Sequence, residues 1–340
     1  MGPTGKRAVA YATAGVFSAA GVAFALSHRY RRRHQGLSAP CDPELSLPED
    51  VAHRVFAMRD GGESHLIEKG EGPAVVLLHG ANLSAEAWSY QLRDLAGSHR
   101  VLALDLRGHG LSSAGSEEVT ISAMADDVAE VLVALDLDHA VLAGHSMGGM
   151  VCQRVTRLHP ELLGTRIGAI ALIATSGGLG LPVPSWGLLA AAVGRVAGAG
   201  VGIWRPDQPA LPTGDVGYLA SRLGFGRRPR PAEVAETLRM LRSMAPDVFT
   251  TLVGEVLAFE ERAPFGDVRV PVAVAVGTSD HLTPPLFARR LAAGFEHASL
   301  HEYSGAGHVL MYERRREITK LLESLSARAG TGPSTAAGGP

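Results

Sequence analysis

One hydroxyl stands at an abrupt change of pattern. In Ala140-Val141-Leu142-Ala143-Gly144-His145-Ser146-Met147-Gly148-Gly149-Met150, an apolar run of the kind that forms a buried parallel strand stops at residue 143. The apolar residues from Met147 through Val151 and Val155 then fit a helix packed back on that strand. Ser146 lies between them, with Gly144 and Gly148 two residues to either side. The Gly-x-Ser-x-Gly spacing matches a nucleophile elbow, in which a sharp strand-to-helix turn holds the serine in a strained conformation. Side chains at the flanking positions would collide, and glycine avoids that. Such a turn lifts the Ser146 hydroxyl clear of the sheet. It also aims the first N–H of the helix, that of Met147, at an anion forming on a bound substrate. A glycine-rich turn without chemistry carries the same short pattern, so a base, an acid and a second oxyanion donor must be found elsewhere.

The elements that would position those groups are legible as a series of apolar runs. Residues 74–78, 101–104, 140–143, 167–174 and 272–276 are continuous apolar stretches with helical patterns between most of them. They predict a mostly parallel sheet, covered by helices on both faces, with ligands at the carboxyl ends of the strands. Ahead of them, alternating segments at 52–58 and 64–68, separated by Asp60-Gly61-Gly62, predict an antiparallel hairpin at the sheet edge. The strand ends carry the polar residues: His79-Gly80-Ala81-Asn82 after one, the Asp105-to-Ser112 turn after the next, then Gly277 to Asp280, and finally Gly305-Ala306-Gly307-His308. Asp105 and Arg107 read as a structural ion pair that fixes their loop.

Taken together these motifs resemble the α/β-hydrolase superfamily over about residues 51–326. The resemblance rests on the His79-Gly80 turn, the Asp105-x-Arg107-Gly108-x-Gly110-x-Ser112 loop, the Ser146 elbow, and a late aspartate followed by Gly305-x-Gly307-His308. It implies an eight-stranded sheet with an inserted helical cap. The family order of nucleophile, acid and histidine then selects Ser146, Asp280 and His308. His308 would take the hydroxyl proton and return it to the leaving group, and Asp280 would hold the ring's tautomer and stabilise the imidazolium. The oxyanion would be held by the backbone N–H groups of Ala81 and Met147. The chain has fourteen histidines, but matching to the family places His79 behind the oxyanion turn and His145 inside the elbow as supporting groups. Epoxide hydrolases and haloalkane dehalogenases of this fold carry aspartate at the elbow, whereas the serine here implies an acyl-enzyme.

Composition bounds the remainder. With 46% hydrophobic residues in 340, the chain has material for one large domain with an insertion. A net charge of −2 gives no reason to expect a nucleic-acid partner. Two cysteines, Cys41 and Cys152, exclude a disulfide framework and have no metal-ligand spacing, and no cofactor is implied. Residues 8–26 are free of charge, rich in Ala and Gly, and flanked by Lys6, Arg7, Arg29 and Arg31 to Arg33. They predict a membrane-seated helix within residues 1–34, with the catalytic domain on the cytoplasmic side. A secretory signal cleaved near Ala23-Phe24-Ala25 and a soluble or frayed helix are the alternatives.

Residues 35–50 read as a linker, 51–176 and 265–326 as the core, 177–264 as the cap and 327–340 as a disordered tail. Residues 231–244 and 248–262 have helical spacing within the cap, whose apolar side chains would line an acyl pocket with Asn82, Trp186, Met244 and Phe249 among its walls. Capping its neighbouring helix is a second role open to Asn82. The expected function is hydrolysis of a carboxylic ester or lactone with an apolar acyl part. Cofactor-free haloperoxidase or perhydrolase activity on the same triad, or a non-catalytic binding protein of this fold, are the alternatives.

Overall fold

The inner strands form where aliphatic residues run unbroken between turn residues, and they are buried because both faces of the sheet are covered there. The computed structural model describes residues 42–178, 215–261 and 264–329. Its strands are β1 (Ala52–Ala57), β2 (Glu63–Lys69), β3 (Ala74–Leu78), β4 (Arg100–Leu104), β5 (Ala140–His145), β6 (Ile167–Ile173), β7 (Val272–Gly277) and β8 (Ala298–Tyr303). They form one eight-stranded sheet in the order β1-β2-β4-β3-β5-β6-β7-β8. The β1–β2 and β2–β4 pairings are antiparallel and all others parallel. The edge hairpin and the parallel remainder are therefore as the apolar pattern predicts.

Alternation along each strand divides the core in two. Val75 and Leu77 of β3, Val141 and Ala143 of β5, and Ala273 and Ala275 of β7 face α1 (Ser89–Leu95) and the last helix, α9 (Arg315–Ala329). Val76, Leu78, Leu142, Val274 and Val276 face α2 (Ile121–Ala134), α3 (Met147–Leu158) and α7 (Pro285–Ala292). Each fully buried leucine on either face contributes roughly 1.5–3 kcal/mol by leaving water. Helix α2 starts where Thr120 accepts the Ala123 N–H at 3.1 Å, satisfying one of the donors that a helix start leaves unpaired. Between β6 and β7 lie α4 (Asp215–Arg222), α5 (Pro231–Ser243) and α6 (Pro246–Ala258), the last two opening on a proline whose missing N–H costs nothing there. After β8 comes the short α8 (Leu310–Glu313).

Two boundaries differ from the sequence expectation. The segment read as a linker is docked from Asp42 onward: Leu45 is buried in the α1/α9 core, and Asp42 and Glu44 pair with Arg230 and Arg315. At the other end α9 runs to Ala329, three residues past the expected end of the core at 326, because Leu322, Leu325 and Ala329 continue one buried stripe. The expectations for residues 8–26 and for Trp186 fall outside the described residues. Among the described residues no helix is long and apolar enough to cross a membrane.

Candidate active site

The turn between β5 and α3 is built from contacts too close for side chains. A Cβ on Gly144 would lie 2.2 Å from the Gly148 carbonyl oxygen, and one on Gly148 would lie 2.4 Å from the Leu78 carbonyl oxygen. Ser146 between them has φ 52° and ψ −115°, a conformation that a non-glycine residue adopts only under constraint. The constraint is visible in its bonds. Its N–H donates to the Ile173 carbonyl at 2.9 Å, and its own carbonyl accepts the Thr175 hydroxyl at 2.7 Å. Ser146 is half-buried while its neighbours on both sides are buried. Met147 is the first residue of α3, so its N–H is one of those that intrahelical bonding leaves free.

Facing the elbow is the turn that leaves β3. A Cβ on Gly80 would come within 2.7 Å of His145 Nδ1 and 3.2 Å of Ser146 Cβ, so glycine lets this backbone lie directly against the Ser146 turn. Two buried imidazoles hold the turn. His79 Nε2 accepts the Leu106 N–H at 3.0 Å, which places its proton on Nδ1, and Nδ1–H donates to the Gly80 carbonyl at 2.8 Å. His109 Nε2 accepts the Asn82 N–H at 3.2 Å, and its Nδ1–H donates to the Arg107 carbonyl at 3.0 Å. Their ring centres lie 4.8 Å apart. Burial pushes the His79 imidazole below its ordinary range, and burial together with His79 pushes His109 down to about 3. Both rings are thus neutral, as a nitrogen that accepts an N–H must be.

Asp280 and His308 are brought together from the ends of β7 and β8. His308 Nδ1–H donates to Asp280 Oδ2 at 2.8 Å, with the carboxylate fully buried and the ring nearly so. Asp280 Oδ1 accepts the N–H groups of Leu282 and Thr283 at 2.8 and 2.9 Å, and Oδ2 also accepts the Thr283 hydroxyl at 2.8 Å. Burial pushes the Asp280 carboxyl up, but His308 and the Thr283 donors outweigh it and hold the group below the usual carboxylate range. His145 links this pair to the elbow. Its Nε2–H donates to the His308 carbonyl at 2.9 Å, and the two rings lie 4.9 Å apart. Burial, with His308 adding to it, pushes the His145 imidazole down to about 3.

Some expectations require correction. Asp105 and Arg107 do not pair. Asp105 bonds His65 at 2.8 Å and accepts the Ala85 and Leu111 N–H groups, whereas the Arg107 guanidinium forks onto Asp127 at 2.8 and 2.6 Å and reaches Asp60. Asn82 caps no helix: it sits at φ 60°, and its buried Oδ1 has no partner among the described residues. Met244 is buried in the core over the α2/α3 face of the sheet, and Phe249 is half-buried against that core. Cys152 is a buried thiol pushed up by desolvation, as a small core residue would be. Among the described residues no three His, Cys, Asp or Glu side chains group to hold a metal ion. Thr175 and Thr283, which sequence reasoning passed over, hold the Ser146 carbonyl and the Asp280 carboxylate. A threonine three residues after an aspartate is a recognisable turn signal for the second.

Residues 75–321 match the model of the Alpha/beta hydrolase family. The chain belongs to that family. Among curated relatives it is 27% identical over 261 residues to the AB hydrolase superfamily protein YisY of Bacillus subtilis, covering 76% of this chain and 92% of that one. It is 36% identical over 145 residues to bifunctional epoxide hydrolase 2 of Sus scrofa, an alignment that spans 42% of this chain and only 25% of that protein. The solved structure of a thermophilic esterase from Thermogutta terrifontis superposes with a TM-score of 0.67 over 83% of this chain and all of that one, and at 23% identity it speaks for the fold alone. This α/β hydrolase therefore keeps the family core, with its polar strand ends gathered around Ser146.

Proposed function

We propose that the protein is a serine hydrolase that cleaves a carboxylic ester or lactone through an acyl-enzyme, and the observation that carries this reading is the strained Ser146 elbow joined through its neighbour His145 to a buried Asp280–His308 pair. A serine there forms an ester with an acyl group, and water can release it. In the first half-reaction Ser146 Oγ attacks the carbonyl carbon while His308 Nε2 takes the hydroxyl proton. The carbonyl π-electrons move to oxygen, and the Ala81 and Met147 N–H groups stabilise the resulting anion. The leaving alkoxide departs with the proton from His308. Water then repeats the sequence in reverse, and the acid product leaves with Ser146 regenerated. Asp280 stays ionised throughout, opposite the imidazolium that forms in each half.

The tautomer this mechanism needs is the one that the Asp280 bond favours, with Nδ1 protonated and Nε2 free to accept. The experiment is hydrolysis of short p-nitrophenyl esters, together with labelling by a fluorophosphonate. Turnover and label should both be lost in Ser146→Ala, and turnover that survives the substitution would refute the reading. Peroxide-dependent halogenation with acetate present would instead mark perhydrolase chemistry on the same residues. On this reading residues 177–264 form a cap with an apolar acyl pocket, and residues 8–26 seat the enzyme on a membrane. Cell fractionation of the full chain checks the second point: recovery of a shortened form in the medium would oppose it.

A further inference from the structure

The loop that carries His308 is wedged between two other chain segments. On one side lies the end of β7, where a Cβ on Gly277 would stand 2.2 Å from the Gly307 carbonyl oxygen. On the other lies the segment joining α4 to α5, where a Cβ on Gly226 would stand 2.2 Å from the Gly305 carbonyl oxygen and 2.6 Å from the Gly307 nitrogen. Contacts this close leave the loop no independent freedom: if the Gly226 backbone moves, the Gly305–Gly307 backbone moves with it. Backbone bonds reinforce the join. The His308 N–H donates to the Gly224 carbonyl at 2.7 Å, and the Arg227 N–H donates to the Gly305 carbonyl at 3.0 Å.

One side chain closes the assembly. The Glu313 carboxylate, at the end of α8, accepts the Gly226 N–H on Oε2 at 2.8 Å and the Gly307 N–H on Oε1 at 2.9 Å. It bridges two segments 81 residues apart (307 − 226), and one of its two bonds is made to the residue that precedes His308. Neither N–H has another place to go in a contact this tight, and an unsatisfied buried donor is costly. We propose that Glu313 is a positioning residue that ties the chain entering α5 to the catalytic loop, so that the placement of His308 depends on the placement of residues 224–227. The consequence is a route by which whatever the α4–α6 region binds alters proton transfer without touching the reacting atoms.

This rests on the serine-hydrolase reading, and the test separates the two. Glu313→Gln is isosteric, but its amide nitrogen would face one of the two N–H groups donor to donor, which breaks the bridge on one side. Gly226→Ala strains the same contact from the opposite side. Each variant should lose about tenfold to a hundredfold in kcat and in the rate of fluorophosphonate labelling, with KM within about twofold, since displacements near 1 Å cost rates of that order. The double variant should be no slower than the slower single one. The His308 Nδ1 proton resonance should move in both. Folded variants that label at the wild-type rate, or that change only KM or Tm, would overturn the proposal. If the wild-type protein fails to label, the hydrolase reading falls, and the His308 resonance alone decides: a shift in the variants sustains the linkage and an unmoved signal ends it. Should Glu313→Gln not fold, Gly226→Ala decides by the same readouts.

Discussion

His109 offers a sharp test of how the turn after β3, the proposed oxyanion turn, is held. Its ordinary pKa of 6.5 is pushed down to about 3 by burial and by His79, and a proton on Nε2 would in addition point at the Asn82 N–H that this nitrogen accepts. Between pH 6.5 and 3 the unfolded chain therefore binds a proton that the native protein refuses. Stability falls as pH falls through that window, by about 1.4 kcal/mol per unit. From pH 7 to pH 5 the loss due to this ring is roughly 2 kcal/mol, accrued over the interval from 6.5 to 5. The absolute slope is mixed, since Glu233, Glu313 and Asp127 are pushed up and act in the opposite sense, while Asp105 and Asp280 are pulled down and act below the ordinary carboxylate range. Comparison with His109→Gln cancels those contributions. Glutamine does not titrate. The variant loses part of a buried hydrogen-bond pair and should be about 1–3 kcal/mol less stable at pH 7. In urea titrations followed by far-UV circular dichroism, that gap should shrink by about 2 kcal/mol at pH 5. A gap that stays constant between the two pH values would refute the neutral, accepting role assigned to this ring.

Ser146→Gly should abolish ester hydrolysis yet stabilise the fold by about 1 kcal/mol: relief of roughly 1–3 kcal/mol of strain exceeds the added backbone entropy of about 0.5–1 kcal/mol, and thermal melts read the difference. Gly80→Ala drives a methyl into His145 and displaces the Ala81 donor, so kcat for a p-nitrophenyl ester should drop about 10²–10³-fold in a protein that still folds. Thr283→Val removes the hydroxyl that donates to Asp280 and should cost about tenfold in kcat with little change in KM, whereas Thr283→Ser should retain activity in the same steady-state assay.

What was legible in the chain follows from range. The inner strands could be read because burial on both faces writes a local record of unbroken aliphatic residues, and the elbow because its close contacts demand glycine at fixed spacing around Ser146. The partners of Asp105 and Arg107 could not, because His65, Asp127 and Asp60 lie 20 or more residues away in sequence and only the folded sheet brings them together. Leu45 shows the same limit: one buried leucine among prolines makes no period, so a docked segment read as a linker. Glu313 left no local sign at all, since what it bonds is main chain, and main chain has no residue type.

The strain itself is distributed in an informative way. Of the five described non-glycine residues at positive φ, Asn82, Ser146 and Ala174 follow β3, β5 and β6, three strands adjacent in the sheet. Each such residue costs of order 1–3 kcal/mol and persists only where its surroundings over-determine it. Here the determinants are specific: His109 accepts the Asn82 N–H, Thr175 and Ile173 grip Ser146, and the Ala174 N–H donates to Ala275 on β7. A sheet whose strands were free to end by their own preference would place no such row along one edge. Packing over both faces of the sheet supplies the stability that tolerates it. The row lies across the ends of three adjacent strands, and Ser146 follows the middle one.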